Sequence, residues 1–384
     1  MKNFLFWATV VGISLTGCVN DNEVLQNPKD NLKPVTFEVA KYKASSRADE
    51  TANNQVKNEG STHSAFPTNQ IFGTFAYVAP ANNGEHSSFM NNEKVGYVNN
   101  VWVALGDTYF WPQVGHVDFI SYYPHSTAAG GVSPIIGDVT SGDRNKLSFE
   151  NYTVSQVDLM YSDKAHLQTH NYDTYSHSGV PTLFRHALAK LSFEVKSKYI
   201  VSKEIQANGS EMVVNWQVLV KSIRLNGLHG TGSVYLQTTS PTTAGTTQWD
   251  IVGYQDGAHK VWTPTGSANV SKEWTVAGGQ SLNTEFATFS EARDYYVLPQ
   301  SFTNQLQSVT IVYSIANKEA NQNDYDTPTE FTKTLYFYNY NQMVTAWEMG
   351  KSITYQIQID PKGDVINFDP AVADWEVVTG TLDI

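Results

Sequence analysis

The sequence predicts an all-β protein made of two β-sandwich domains in tandem. Aromatic residues are abundant, with 21 Tyr, 18 Phe and 9 Trp. Together with frequent Thr, Val, Asn and Gly, they are typical of β-strands joined by polar loops. Short segments that alternate apolar and polar residues recur along the chain, whereas helical periodicity is scarce. At 384 residues the chain is long enough for two ordinary domains.

The first strand is predicted just after a polar N-terminal region. Val35, Phe37 and Val39 are separated by single residues with polar or small side chains, which gives a strand with one apolar face. The stretch that follows, residues 48–64, has almost no apolar side chains. We expect that stretch to be exposed and open to proteases.

Later strands are predicted from the same alternation or from short β-rich runs between turn residues. They lie at 72–78, 101–105, 108–111, 117–123, 156–161, 191–195, 212–225, 295–298, 309–315, 331–338, 353–359 and 377–384. Loops are expected at 127–145, 162–179, 238–247 and 264–283, and single helical turns within 178–191 and 341–347. A boundary near residues 180–190 divides the chain into an N-terminal sandwich, 32–185, and a C-terminal sandwich, 186–384.

The N-terminus has the three parts of a secretory signal. Lys2 is followed by an apolar stretch, residues 4–13, which is too short to span a bilayer because a spanning helix needs about 20 apolar residues. The run Leu15-Thr16-Gly17-Cys18 resembles a bacterial lipobox, in which the cysteine is lipidated and becomes the new N-terminus. Residues 1–18 are then the signal peptide and lipobox, and 19–31 a polar tether. The alternative is an ordinary signal peptide with an incidental cysteine.

Charge and cysteine content exclude several classes of protein. The net charge is −12 and no basic cluster occurs, which argues against a nucleic-acid partner. Cys18 is the only cysteine, so an internal disulfide is impossible. After the signal no segment approaches 18 continuous apolar residues, so we expect no transmembrane helix.

No catalytic, cofactor or metal site is predicted. Nucleophile-elbow, zinc-helix, P-loop and dinucleotide-binding motifs are absent. The densest group of candidate metal ligands falls in a polar loop, where no helix would align them, so we interpret it as solvated. That group comprises Asp163, His166, His170, Asp173 and His177. The run 321–326 lacks the glycine and the terminal Glu of a calcium loop.

Several short motifs together resemble the fimbrillin-like, type V pilin lipoproteins of Bacteroidetes. They are spread in order along the chain behind the lipobox. The motifs are Tyr109-Phe110-Trp111-Pro112, Val117-Asp118-Phe119-Ile120-Ser121-Tyr122-Tyr123-Pro124, Ser155-Gln156-Val157-Asp158-Leu159-Met160-Tyr161, residues 183–191, 353–359, Ile366-Asn367-Phe368 and Asp374-Trp375.

The resemblance implies two transthyretin-like β-sandwich domains and assembly into a pilus for adhesion or biofilm formation. Family members travel to the outer-membrane surface as lipoproteins, where an arginine-specific protease removes the first strand. A strand from another subunit then fills the groove. The implied partners are other pilins, this protease, the outer membrane through the lipid before cleavage, and a host or bacterial surface ligand.

Residues of this chain fit that scheme. Cutting after Arg47 would release the lipid together with Val35, Phe37 and Val39, whose burial is worth on the order of 5–8 kcal/mol. Lys41, Lys43 and Lys57 are alternative cleavage sites. The candidate donor strand carries Val378, Gly380, Leu382 and Ile384 on one face, although it could equally be an ordinary last strand of its own domain.

Two other functions stay open at this point. A surface lipoprotein that binds glycans would need a solvent-facing row of Trp or Tyr. A glycosidase-type enzyme would need a cleft with paired carboxylates. Without cleavage, the protein would serve as a pilus anchor.

Overall fold

The computed structural model describes eleven segments of the chain. They are residues 33–42, 63–79, 87–128, 130–132, 134–136, 146–162, 164–169, 179–237, 262–340, 344–363 and 365–374.

The described residues form 25 strands and one four-residue helix, α1 (Phe337–Tyr340). The strands are β1 (Phe37–Tyr42), β2 (His63–Ala65), β3 (Phe72–Ala79), β4 (Ser87–Val98), β5 (Val101–Ala104), β6 (His116–Tyr123), β7 (Ile135–Ile136), β8 (Lys146–Thr153), β9 (Met160–Ser162), β10 (Ala165–Gln168), β11 (Val180–His186), β12 (Ala189–Ser197), β13 (Val201–Ile205), β14 (Glu211–Leu228), β15 (Thr231–Gln237), β16 (Thr263–Thr265), β17 (Val270–Ser281), β18 (Ala287–Thr288), β19 (Tyr295–Val297), β20 (Gln300–Ser301), β21 (Ser308–Glu319), β22 (Thr329–Tyr336), β23 (Ala346–Trp347), β24 (Lys351–Asp360) and β25 (Val365–Asp374).

The N-terminal half is a sheet that closes on itself. Its path is β10-β6-β3-β4-β5-β1-β11-β9, with β2 added beside β1, and β9 pairs back onto β6. Closure rests on two residue pairs, Tyr122 with Tyr161 and Tyr123 with Met160. A core rich in aromatic side chains, including Phe72 and Phe119, packs with β1. We call this closed sheet the ring, and the contact between β6 and the β9–β10 segment its seam.

The C-terminal half is a sandwich of two five-stranded sheets. In one, β12 pairs parallel with β24, and β24 pairs antiparallel with β25. In the other, β14 lies between β21 on one side and β13 and β17 on the other. The large core between them includes Phe193, Tyr313 and Tyr355. Because β12 buries every second residue, its sequence alternation follows directly from one face packing on this core.

A third core connects the two halves. The four-stranded sheet β16-β15-β8-β7 combines strands from before and after the predicted boundary at 185/186. Its core joins Leu147 and Phe149 to Val234 and Leu298, and the indole N–H of Trp262 donates to the Ala187 carbonyl at 2.7 Å. The division into 32–185 and 186–384 stays a prediction.

The predicted fold class is confirmed, since the protein is almost entirely β-structure arranged in packed sheets. Several local expectations are wrong. Residues 264–283 contain β17, residues 162–179 contain β10 and residues 127–145 contain β7, instead of loops alone. Residues 178–191 contain β11 and β12 instead of a helical turn, and residues 108–111 contribute one isolated bridge instead of a strand. Within the described segments no helix is long and apolar enough to cross a membrane.

Candidate functional site at the first strand

Residues 33–36 bind to the ring before β1 begins, and together with β1 they form the segment that we call the first strand. The backbone N–H of Val35 donates to the Tyr109 carbonyl at 2.8 Å, and the Trp111 N–H donates to the Lys33 carbonyl at 3.0 Å. Between them, Pro34 and Phe110 form an antiparallel bridge. The segment at 109–111, singled out in the sequence as a motif, is therefore a backbone partner of the first strand.

The β1 strand is held unequally by its two neighbours. On one side it runs parallel to β11, in register from Phe37 with Val180 to Lys41 with Phe184, and the Val180 N–H donates to the Thr36 carbonyl at 2.7 Å. On the other side a single residue pair joins Phe37 to Trp102 of β5. The end of β1 also pairs with β2 over three residues. Most of its sheet pairing therefore comes from β11.

The apolar side chains of the first strand enter the core of the ring. Val35 is 4% exposed and Phe37 is 3% exposed, while Val39 is partly buried against the same cluster. The Phe37 ring meets Phe72 and Phe119 edge-on, with centroids 5.9 and 5.8 Å away. Such edge-to-face contacts add to the energy of area burial. Phe37 is thus the main anchor of the strand.

Gly179 allows the backbone of the first strand to lie close to β11. A Cβ atom at this position would stand 2.7 Å from backbone atoms of Thr36 and Phe37, much nearer than ordinary contact. Gly179 is not among the residues predicted from the sequence, although a glycine directly before a buried strand is a signal for close backbone approach.

The sequence-predicted site residues have different outcomes. The structure brings Val35, Phe37 and Val39 together at the core of the ring. Five others lie outside the described residues: Cys18, Arg47, Val378, Leu382 and Ile384. The candidate donor segment therefore stays a prediction, as does the cleavage site.

The histidine-rich loop has no described metal geometry. His166 lies in β10, and the other four residues of that group fall outside the described segments. No cluster of three or more His, Cys, Asp or Glu that could hold a metal ion occurs in the part of the chain that the structure describes.

Tryptophans pack inward. Of those in the described segments, five are buried and Trp216 is partly buried against the C-terminal core. The exposed tyrosines are scattered over β4, β15, a loop and α1, at Tyr97, Tyr235, Tyr325 and Tyr338. These residues form no solvent-facing aromatic row of the kind that a glycan-binding face requires.

A buried ion pair that no sequence motif predicts lies at the seam of the ring. The Lys164 Nζ is 2.8 Å from Asp118 Oδ2, and the two side chains are 4% and 1% exposed. Asp118 belongs to the quoted motif at 117–124, but its partner is 46 residues away. Only the strand register brings the two together.

The sequence matches the family model described as fimbrillin-like over residues 46–375. The chain belongs to the fimbrillin-like family. This confirms the resemblance drawn from the short motifs, and the family is a structural, non-enzymatic class. No curated protein matches the sequence significantly.

Solved structures align with this fimbrillin-like protein over most of its length. A fimbrial protein from Bacteroides vulgatus aligns with 16% identity and a TM-score of 0.55, covering 90% of this chain and 100% of the other. A candidate cell adhesion protein from Bacteroides ovatus aligns with 14% identity and a TM-score of 0.45, covering 90% and 99%. At 16% identity, the similarity to the Bacteroides vulgatus protein supports a shared fold.

Proposed function

We propose that this fimbrillin-like protein is a structural subunit of a type V pilus. It is exported through the lipobox at Cys18 and assembled on the outer-membrane surface by strand exchange after cleavage at Arg47. The observation that carries the proposal is the first strand: a short segment that inserts Val35 and Phe37 into the ring core and pairs mainly with β11.

Removal of this strand would create a specific binding groove. Burial of Val35 and Phe37 is worth about 3–6 kcal/mol at the usual 1.5–3 kcal/mol each. The edges of β11 and β5 and the backbone at 109–111 would also lose partners. An incoming strand restores both the burial of apolar side chains and the backbone pairing, which is the physical basis of β-augmentation.

The proposed partner strand is the C-terminal segment of another subunit, with Val378, Leu382 and Ile384 on its apolar face. In the structure, β25 ends at Asp374 opposite Lys351, so the donor segment follows directly from a paired strand. Other proposed partners are an arginine-specific surface protease and a host or bacterial surface ligand. The mature protein then resides in the fimbrium and contributes to adhesion or biofilm formation.

The test is mass spectrometry of the protein from the surface of its native cells, with N-terminal sequencing. A mature start at Ala48 without lipid is expected. The charge-conserving variant Arg47→Lys should then keep its lipid and stay unassembled, whereas Lys43→Gln, which removes an alternative cleavage residue, should mature normally. A lipidated Cys18 as the only N-terminus of the wild type would overturn the polymerising role and leave that of an anchor.

A further inference from the structure

The ion pair between Asp118 and Lys164 lies at the seam of the ring, and both of its side chains are almost inaccessible to water. Asp118 is in β6, where every residue except His116 is buried. Lys164 stands directly before β10, whose Ala165 pairs with Phe119. The backbone register therefore brings the two side chains together, with Lys164 Nζ 2.8 Å from a carboxylate oxygen of Asp118.

The surroundings of this pair disfavour separated charges. Tyr77 lies directly opposite Asp118 on β3, but its buried hydroxyl has no hydrogen-bond partner within the described segments. This hydroxyl therefore does not stabilise the negative charge of the Asp118 carboxylate. Ile120, on the same face of β6 as Asp118, is also buried. Contact between the two groups favours their charged forms, but burial of both from water removes the hydration that stabilises an ionised pair over a neutral one. A neutral amine touching a neutral carboxyl group is the reactant pair for amide formation.

We propose that Lys164 and Asp118 condense to an intramolecular isopeptide bond. The ammonium first transfers one proton to the carboxylate, which gives the amine and the acid. The nitrogen lone pair then attacks Cγ, the bond from Cγ to its hydroxyl oxygen breaks, and the second amine proton leaves with that hydroxyl as water. Atoms and charge balance without any other reactant.

Burial supplies the driving force for this step. In water, condensation is opposed because the separate acid and amine are stabilised as hydrated ions. At a site where both side chains are almost inaccessible to water, this stabilisation is lost, while the product amide is neutral. The released water molecule regains its hydration in bulk solvent.

The bond would reinforce the seam where ordinary pairing is sparse. At the seam, β6 has two residue pairs with β9 and two more with β10, separated by a register shift, and no disulfide can form because the chain has one cysteine. A covalent link from β6 to the segment between β9 and β10 would keep this closure intact even with β1 absent. The bond itself does not depend on the proposed strand exchange.

The test is tryptic digestion of the denatured full-length protein followed by mass spectrometry. Peptide 95–144 contains Asp118, and Lys164 ends peptide 147–164. The bond predicts that cleavage after Lys164 fails, and that 95–144 is found joined to 147–185 with the loss of one water. Recovery of nearly all the material as unlinked 95–144 and 147–164 would overturn the proposal. Loss of water within 95–144 alone, as in an aspartyl succinimide, would also overturn it.

Variants and an internal control separate chemistry from misfolding. Asp118→Asn should form the same link with loss of ammonia instead of water, whereas Lys164→Arg should give only unlinked peptides. The pair of Lys198 and Asp360 has the same 2.8 Å separation, but its side chains are 39% and 16% exposed. This pair should remain unlinked in the same digest, and a link there would refute burial as the cause.

Discussion

Replacing Gly179 by alanine should loosen the first strand while leaving the rest of the molecule folded. The new Cβ would lie 2.7 Å from backbone atoms of Thr36 and Phe37, where ordinary contact begins near 3.4 Å. The strand would have to move by about 0.7 Å, and overpacking of this kind costs about 1–3 kcal/mol. A cost in that range raises the equilibrium constant for local opening of the first strand about 5–150-fold.

Amide hydrogen exchange in the uncleaved chain measures this opening directly. The N–H groups of Val35, Trp111 and Val180 each bond across the contact between the first strand and the ring, so all three should exchange faster by that factor. The N–H of Val154, which bonds to Gly230, should exchange as in the wild type.

Gly106→Ala is the matched control for Gly179→Ala. A Cβ at Gly106 would meet only the end of the Glu93 side chain, at 3.5 Å, so the substitution should leave all these amides unchanged. Unaltered exchange at Val35 and Val180 in folded Gly179→Ala would refute the argument that close backbone approach holds the strand. Equal acceleration by both variants would refute it as well.

Two further predictions concern stability. Phe37→Ala should lower the free energy of unfolding, measured in urea, by about 3–5 kcal/mol. Val39 is only partly buried, so Val39→Ala should lower it by about 1 kcal/mol. Similar losses for the two variants would argue against Phe37 as the anchor. His125 accepts a hydrogen bond from the Thr127 N–H on Nδ1 at 3.1 Å, and burial lowers its pKa below the ordinary 6.5. The unfolded chain then binds a proton on this residue more readily than the folded chain does. The contribution of neutral His125 to stability should therefore be complete above pH 6.5 and be lost as the pH falls below that value. His125→Gln should flatten the pH dependence of the free energy of unfolding, measured in urea below pH 6.5. An unchanged slope in that range would exclude His125 as the source of the pH dependence.

Alternation in the sequence located strands that have one buried face. β12 buries every second residue, and the first strand also inserts alternate side chains into a core. By contrast, all seven residues of β11 are buried, which hides the period of two, and the segment could pass for a helical turn. β17 was missed for the opposite reason: most of it is exposed, it contains Gly278 and Gly279, and it is held by pairing with β14.

The candidate site was only partly predictable for a related reason. A strand can be recognised from its own residues, but its neighbours are set by long-range register. The parallel pairing of β1 with β11 joins segments about 140 residues apart. The meeting of Asp118 with Lys164 depends on the pairing of Phe119 with Ala165. Neither contact leaves a local trace in composition or spacing.

The short connection between β11 and β12 has a mechanical consequence for a fibre under tension. Only Ala187 and Leu188, both buried, separate the strand that holds β1 from the strand that pairs with β24. Force entering through the occupant of the first-strand position would pass almost directly along one backbone into the C-terminal sheet. Both strand pairs on that path are parallel, so pulling their partners towards opposite ends would load the hydrogen bonds in shear, all at once rather than one by one.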